Sequence, residues 1–401
     1  MRLTRRTLLA ATGSLGLARV ARAAEGFAAI RQWARGQRVY FNHWGGSPQI
    51  NDYIAWAGTE LLRRFGVELV SVKVTDIAET VGRVLAEKTA GRNEGGSVDL
   101  VWINGENFAA TKRHGLLYGP ITPLLPNFAL VDTVGKPTTL VDFTVPTEGF
   151  EAPWGMAHFV LFHDAARLRE PPRSLAALLG WARGNPGRST FPAPPDFVGT
   201  TFLKHVLYAT IDDPRRLARP AEPEVFEAAT AGSWTFLEAL RPHLWRAGRT
   251  FPANKEALHQ LLDDGEVDLS MAFNPAEASS LILAGRLPPT TRTYLFETGT
   301  IANTHFLAVP FNATAAEGAL VAIDFLLSPE AQARKQDERI WGDPTVLDLD
   351  RLEPEDRARF ERLERGPATL PPEALRPVLP EPHPSWTELL EAGWARRFAR
   401  G

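Results

Sequence analysis

Two polar turns follow predicted strands and carry side chains suited to binding a small molecule. The first contains Asn42, His43, Trp44, Gly45 and Ser47, and the second contains Asn104, Glu106 and Asn107. In an open parallel sheet the loops at the carboxyl ends of the strands converge on one edge, where backbone amides and side chains can hold a ligand. Glu106 has two interpretations, a cap for the helix that follows or a counter-ion for a cationic ligand. The two turns therefore predict a binding site that needs no covalent chemistry.

The other candidate ligand-binding residues lie farther along the chain, near strand ends and predicted hinges. They are Trp154, Phe197, Gly199, Thr200, Thr201, Asn274, Asn303 and Trp341. A cation over a desolvated tryptophan face gains about 2 kcal/mol, which favours the indoles as ligand contacts. Thr200 and Thr201 stand where a helix beginning near Phe202 would need a cap, and ordinary capping would explain the polar members of the set equally well.

The sequence lacks the short motifs of common hydrolases and nucleotide-binding enzymes. There is no H-E-x-x-H zinc motif, no G-x-S-x-G nucleophile turn and no P-loop lysine motif. The nine histidines show no ligand spacing, and no two of the five tyrosines are adjacent. We therefore expect no catalytic residue, no metal site and no cofactor. An exported hydrolase remains the alternative from a different class of protein.

The first 23 residues have the features of an export signal. A basic start that includes Arg5 and Arg6 precedes a short apolar stretch, and alanines at positions 21 and 23 fit an A-x-A cleavage site. The paired arginines match the twin-arginine export pattern. We expect cleavage near Ala23 and Ala24 and a periplasmic protein.

Composition limits the partners of this chain. Removing the five arginines of residues 1–23 leaves 39 basic and 47 acidic residues, a formal charge of −8, so a nucleic-acid partner is disfavoured. The sequence has no cysteine, which excludes a disulfide framework, a thiolate metal site and a lipid anchor on cysteine. After the signal, no segment approaches the roughly 20 apolar residues of a membrane-spanning helix.

The hydrophobic pattern alternates between strands and helices. Arg38 to Trp44 has the character of a strand, and Ile54, Ala57, Leu61 and Phe65 share the helical face that follows it. Val67 to Val74, Val98 to Ile103, Met156 to Phe162, Val267 to Phe273 and Phe306 to Pro310 are further predicted strands. This alternation predicts an α/β fold with largely parallel sheets.

Several short sequence segments together make the chain resemble the extracellular solute-binding proteins of bacterial ABC importers. They are Phe191–Pro194, Asp196–Gly199, Leu262–Asp268 and Phe325–Gln332, with Asn42–Gly46 and Val101–Phe108 pointing more narrowly to a thiamine-type branch. The resemblance covers roughly Arg38 to Trp341.

The resemblance implies a two-lobed periplasmic binding fold of type II, each lobe a mixed, mostly parallel sheet flanked by helices. Residues 24–152 and 304–401 would form lobe 1, residues 153–303 would form lobe 2, and hinge strands would cross at 151–159 and 300–307. Such proteins close around a ligand by hinge motion. The implied partners are a membrane permease and its cytoplasmic ATPase, and a monomer is expected.

The ligand class is left open by the resemblance. Related branches are associated with thiamine, polyamines, ferric iron and small oxyanions. Iron is disfavoured because the usual pair of neighbouring tyrosines is missing, whereas Ser47, Thr200 and Thr201 could serve an oxyanion. The tryptophans, Glu106 and the net negative charge favour a small organic cation such as thiamine or a polyamine.

Overall fold

The computed structural model describes residues 26–398, which form two lobes around separate hydrophobic cores. The first lobe is built on a six-stranded mixed sheet. Five of its strands lie in the order β11-β10-β3-β1-β2, and β6 also pairs with β10. Its strands are β1 (Arg38–Trp44), β2 (Glu68–Val74), β3 (Leu100–Ile103), β6 (Glu151–His158), β10 (Thr300–Ala308) and β11 (Val378–Leu379). Its helices are α1 (26–34), α2 (Pro48–Phe65), α3 (Ile77–Thr89), α4 (Gly105–Arg113), α10 (Ala316–Leu326), α11 (Pro329–Gln336) and α12 (Pro354–Glu361).

Local sequence determines where the first elements of this lobe begin and end. Val39 and Phe41 alternate into the core from β1, as the predicted strand requires. Ser47 caps α2 by accepting from the backbone of Ile50, and Gly66 ends that helix with a left-handed φ of 69°. The strand and helix predicted between Arg38 and Phe65 are therefore confirmed.

The second lobe has a three-stranded sheet of order β8-β7-β9, formed by β7 (Val160–Asp164), β8 (Leu269–Ala272) and β9 (Thr291–Tyr294). Its helices are α5 (Leu175–Gly184), α6 (Phe197–Thr210), α7 (Pro223–Leu240), α8 (Lys255–Asp263) and α9 (Glu277–Leu283). Both neighbours of β7 run antiparallel to it. The expectation of a mostly parallel sheet is therefore wrong for this lobe. β7, the central strand, follows the first crossing strand, whereas β9 precedes the second one, so β7 and β9 must run in opposite directions.

Two long strands join the lobes. β6 and β10 pair antiparallel from Glu151 opposite Ala308 to His158 opposite Ala302. β6 runs on into β7 after Phe159, and β10 follows β9, so both strands pass from one sheet to the other. These are the crossing strands predicted from the sequence, and every residue of β10 is buried.

The chain crosses between the lobes a third time near its end. α12 packs on the first core through Phe360, whereas Trp386, Leu390 and Trp394 of α13 (Pro384–Phe398) belong to the second core. The sequence-based division assigned all of residues 304–401 to lobe 1, and the packing instead joins residues 368–398 to the second core. The i, i+4, i+8 spacing of these three side chains forms an apolar stripe that dictates the docking of α13. We call residues 368–398 the C-terminal segment.

A small hairpin completes the region between the lobes. Its strands β4 (Val141–Asp142) and β5 (Val145–Pro146) pair antiparallel and follow a series of short 3₁₀ turns. No helix among residues 26–398 combines the length and apolar character needed to cross a membrane.

Candidate functional site

The end of β3 is packed tightly against the hairpin. The backbone N–H of Gly105 donates to Oδ2 of Asp142 over 2.7 Å. Gly105 has a φ of 61°, and a Cβ at this position would lie 2.7 Å from the ring of Phe143. Glycine suits this approach, because a side chain would be strained at the left-handed φ and would press against the Phe143 ring. Phe143 is itself held at a φ of 51°, a rare conformation for a bulky residue.

A buried ion pair lies next to this ring. Nζ of Lys204, on α6, is 3.0 Å from Oε2 of Glu381, and both side chains are 1% exposed. Oε1 of Glu381 accepts from Nδ2 of Asn303 on β10, also at 3.0 Å. The pair therefore joins a helix of the second lobe, a crossing strand and the C-terminal segment.

Two aromatic rings flank the Lys204 ammonium. Its Nζ lies 4.8 Å from the ring centroid of Phe143 and 5.8 Å from that of Phe197. Both distances are within the range at which a cation is attracted to a ring face. The ammonium of Lys204 thus has a carboxylate and two rings around it.

The charges of three more carboxylates act in this region, those of Glu106 and Glu391 together with the exposed Asp76. The group formed by Lys204, Asp76, Glu106, Glu381 and Glu391 is named the inter-lobe charge cluster. Burial raises the pKa of Glu106, the charges of Glu381 and Asp76 raise it further, and Lys204 opposes the change. Burial also raises the pKa of Glu391, although its Oε1 accepts from Oγ1 of Thr200 over 2.7 Å. The cluster holds more carboxylates than ammonium groups, and this excess of negative charge favours a further cation.

A groove opens onto the cluster from outside. It has a volume of about 400 Å³, lies between α4 and the start of α13, and is lined by Glu106, Lys112, His383 and Glu388, among others. Glu106 is half-buried at its inner end, whereas Glu388 is exposed. The groove gives a small molecule a path to Glu106.

A second contact between the lobes involves Trp44. Nζ of Lys255, on α8, lies 5.6 Å from the Trp44 ring centroid and pairs with Glu277. His259 also reaches Glu277, at 3.2 Å. Burial opposes ionisation of Glu277, but the charges of Lys255 and His259 outweigh it and lower its pKa to about 2. Trp44 is half-buried at the rim of the cleft, beside Gly45 and Ser47.

Two of the predicted aromatic residues lie in the core of lobe 1. Trp154 is 0% exposed and Trp341 is 6% exposed, and their ring centroids are 5.3 Å apart. Trp102 and His305 complete the group, with centroids 5.0 and 5.7 Å from that of Trp154. The indole of Trp154 therefore packs against protein on all sides.

Other predicted residues make contacts within the protein. Nδ2 of Asn42 donates to Oγ1 of Thr80 over 3.1 Å in the buried interior, and the buried ring of His43 is hydrogen-bonded to the exposed Ser71 over 2.7 Å. Oγ1 of Thr201 donates to the carbonyl of Phe197.

Asn274 accepts a hydrogen bond from the backbone of Ala276 and donates one to the carbonyl of Trp341 over 3.2 Å, which forms a bridge between the lobes. Asn104 is the N-cap residue of α4 without a side-chain capping bond, and Asn107 is half-buried in the first turns of that helix.

The structure thus brings four of the predicted residues together around the inter-lobe charge cluster: Glu106, Phe197, Thr200 and Asn303. α6 begins five residues earlier than expected, because Asp196 accepts from the backbone of Val198 and Gly199 and caps the helix. Capping by Thr200 or Thr201 is therefore wrong. Both hydroxyls lie inside the first turns of α6.

Sequence reasoning missed Lys204, Glu381, Glu391, Asp76 and Phe143. Lys204 is the one charged residue in the apolar run from Phe202 to Tyr208, an unusual position that could have drawn attention to it. Glu381 stands between two prolines in the C-terminal segment, and its partner is 177 residues away. No local sequence pattern predicts a contact between residues so far apart in the chain.

Gly199 shows how tightly the start of α6 is packed. A Cβ at this position would lie 2.1 Å from the carbonyl oxygen of Pro192, so Gly199→Ala must displace backbone. We expect it to lower the free energy of unfolding by about 1–3 kcal/mol. Gly180→Ala in α5 is the matched control, since its Cβ would meet nothing within 4 Å and gains helix propensity. Urea unfolding followed by circular dichroism measures both, and equal stability of the two variants would contradict the packing argument.

Comparison with known proteins gives consistent results. The sequence model of a family described as bacterial extracellular solute-binding protein matches residues 57–348. The chain is 41% identical over 386 residues to protein YnjB of Escherichia coli (strain K12), covering 96% of this chain and 97% of that protein.

Solved structures share the fold at low sequence identity. The periplasmic binding protein AfuA from Actinobacillus pleuropneumoniae, with fructose-6-phosphate bound, aligns with a TM-score of 0.64 at 12% identity, over 91% of this chain and 99% of that one. The Tp0655 (TpPotD) lipoprotein of Treponema pallidum aligns with a TM-score of 0.63 at 12% identity, over 90% of this chain and 100% of that one. Apo ferric ion-binding protein A of Pasteurella haemolytica gives 0.59 at 12% identity, over 90% and 97%.

Proposed function

Because the chain belongs to the bacterial extracellular solute-binding protein family, we propose that it is the periplasmic solute-binding component of an ABC importer and that its ligand is a small organic cation. Membership of this family places the chain among binding proteins rather than enzymes. The observation that carries the choice of a cation is the inter-lobe charge cluster, in which Lys204 contacts the carboxylate of Glu381 and acts by its charge on those of Glu106 and Glu391. Thiamine and polyamines have the required charge.

The position of the cluster supports capture by closure of the lobes. Lys204 of lobe 2 lies over Phe143, Lys255 lies over Trp44, and Asn274 bonds to Trp341, so three contacts cross from one lobe to the other. A ligand that adds contacts to both sides favours the closed form by its difference in affinity for the two forms. The two hinge strands allow this motion without breaking either core.

Oxyanions and ferric iron, the other ligands considered for this family, are less suited to this site. An oxyanion in this place would face the carboxylates of Glu106, Glu381 and Glu391, with Lys204 already paired. Ferric iron is disfavoured because the sequence has no pair of neighbouring tyrosines. Proteins of the same fold are described with fructose-6-phosphate or as ferric ion-binding, so the fold itself does not select the ligand.

The partners follow from the proposed role. A loaded, closed protein would dock on a membrane permease whose cytoplasmic ATPase drives transport, and a monomer suffices for this. The export signal and its cleavage near Ala23 and Ala24, which the periplasmic location requires, lie outside the described residues.

Thermal unfolding of the chain from Ala24 onward tests the proposal against a panel of thiamine, thiamine phosphates, putrescine, spermidine, ferric citrate, phosphate, amino acids and sugars. A ligand at 100 times its dissociation constant should add about 2.7 kcal/mol of stability. We expect stabilisation by thiamine or a polyamine. Stabilisation by phosphate or ferric citrate alone would refute the organic cation, and turnover of a panel member would favour the exported hydrolase.

A further inference from the structure

The Lys204–Glu381 pair has the composition of a site that binds an ammonium ion. A carboxylate contacts the charge, and the rings of Phe143 and Phe197 cover two of its sides at 4.8 and 5.8 Å. Aromatic rings with a nearby carboxylate are a common way to recognise ammonium ligands. A fully buried ion pair contributes little net stability, because the cost of desolvation offsets the attraction. Stability alone therefore does not account for this arrangement.

The C-terminal segment fixes the carboxylate in place. β11 pairs with β10 through Thr300 and Val378, and the hydroxyl of Tyr208 donates to the carbonyl of Pro380 over 2.7 Å. Asn303 holds Oε1 of Glu381 while Lys204 holds Oε2. Glu381 is thus positioned independently of Lys204 and would remain in place if another cation replaced the lysine.

The lysine also has alternative partners. The charge of Lys204 acts on both Glu106 and Glu391, so the ammonium lies within electrostatic reach of two further carboxylates. Asp142, the residue before Phe143, is 1% exposed, and its Oδ1 has no hydrogen-bond partner among the described residues. Acceptors beyond Glu381 are therefore available in this region, either for a displaced lysine or for a ligand.

We propose that Lys204 is an internal competitor, whose ammonium and the cationic group of the ligand take the same place between Phe143, Phe197 and Glu381. This inference rests on the proposed function and specifies its site. Glu381 becomes the main counter-ion of the ligand, and Lys204 moves toward Glu106 or Glu391 when the ligand enters. The C-terminal segment thereby supplies part of the binding site. The ligand class is an ammonium or ring cation small enough to lie between two phenyl rings.

Isothermal titration of Lys204→Met tests the competition, with thiamine, putrescine and n-butylammonium as probes. Methionine retains much of the length of lysine without its charge. Because the ligand no longer displaces a paired charge, a cation that binds the wild-type protein should bind this variant at least about tenfold more tightly. n-Butylammonium, which imitates the lysine side chain, should bind Lys204→Ala, where the truncated side chain leaves room for it, and not the wild-type protein. Weaker or unchanged binding of all three probes would overturn the proposal.

Two further variants separate this result from a folding defect. Glu381→Gln retains Lys204 and the hydrogen-bonding shape, and it should bind the same cation at least about tenfold more weakly. Unchanged affinity in Glu381→Gln would overturn the proposal even if Lys204→Met fails to fold. Lys335→Met is the matched control. Lys335 is equally buried, pairs with Asp343 and lies over Trp154 and Trp341, so its removal should leave cation affinity unaltered.

The outcomes distinguish this inference from the proposed function. If the wild-type protein binds thiamine or putrescine but Lys204→Met binds them no better, the function stands and the competition is refuted. If the wild-type protein binds only anions and Lys204→Met abolishes that binding, Lys204 contacts the ligand directly and both proposals are wrong.

Discussion

A Glu106→Gln variant should bind its cationic ligand roughly 30-fold more weakly than the wild-type protein while unfolding at the same temperature or higher. Glu106 lies half-buried at the inner end of the groove between α4 and α13. Removing one partner of a desolvated charge pair costs about 2 kcal/mol or more, which sets the expected loss of affinity. Burial of Glu106 beside other carboxylates penalises its charge, so the neutral amide should not reduce stability.

The pH dependence of binding gives an independent measure of the same group. Burial raises the pKa of Glu106, and Glu381 and Asp76 raise it further against the opposing charge of Lys204. Below that raised pKa the carboxyl is protonated and no longer attracts a cation. Affinity should therefore fall as the pH is lowered through it, and binding should release protons. The pKa of Glu391 is raised as well, so Glu106→Gln should show a shallower slope rather than none.

Glu388→Gln provides the control for both measurements. It removes a carboxylate from the same groove, but the side chain is exposed to solvent, where an isolated charge interaction is worth about 0–1 kcal/mol. Titration calorimetry in two buffers of different ionisation enthalpy gives affinity and proton release together. Equal losses in Glu106→Gln and Glu388→Gln would show that only the overall negative charge matters, and no loss in either would exclude Glu106 from the site.

The sequence predicts the local part of this structure well. The alternation of β1 and the apolar face of α2 are local signals, and Ser47 and Gly66 set the helix ends through bonds to near neighbours. The crossing strands were placed through the resemblance to solute-binding proteins, since neither Glu151–His158 nor Thr300–Ala308 is a continuous apolar run. Glu106 was identified by its position at the end of a strand, where parallel sheets gather their loops. Asn303 was expected on a turn and instead lies inside β10.

The sequence does not predict which distant parts of the chain meet. Lys204 and Glu381 are 177 residues apart, and Thr200 and Glu391 are 191 apart, so both pairs depend on how α13 docks. The C-terminal segment was expected on lobe 1 because the chain returns there at β10. The apolar stripe of α13 instead packs residues 368–398 against the second core. Glu381 and Glu391, two of the four carboxylates in the cluster, belong to this segment.

Trp154 gives the sharpest contrast between a ligand contact and a core residue. Trp154→Ala should lower the free energy of unfolding by about 3–5 kcal/mol, because the indole is 0% exposed and its removal leaves a cavity. The cavity would open among Trp102, Trp341 and His305, beside the strands that cross between the lobes. Such a loss is a large part of the 5–15 kcal/mol typical of a domain.

Trp44→Ala is the matched variant and should behave in the opposite way. The Trp44 ring is half-buried at the rim of the cleft, below the Lys255 ammonium, so its removal should cost little stability and weaken ligand binding instead. Urea unfolding by far-ultraviolet circular dichroism and titration calorimetry on the same samples separate the two effects. If Trp154→Ala unfolded like the wild-type protein and lost only affinity, the indole would contact the ligand, as its predicted position at the hinge first indicated. Loss of stability in Trp154→Ala and of affinity in Trp44→Ala would place the ligand in the cleft rather than in the tryptophan-rich core beneath it.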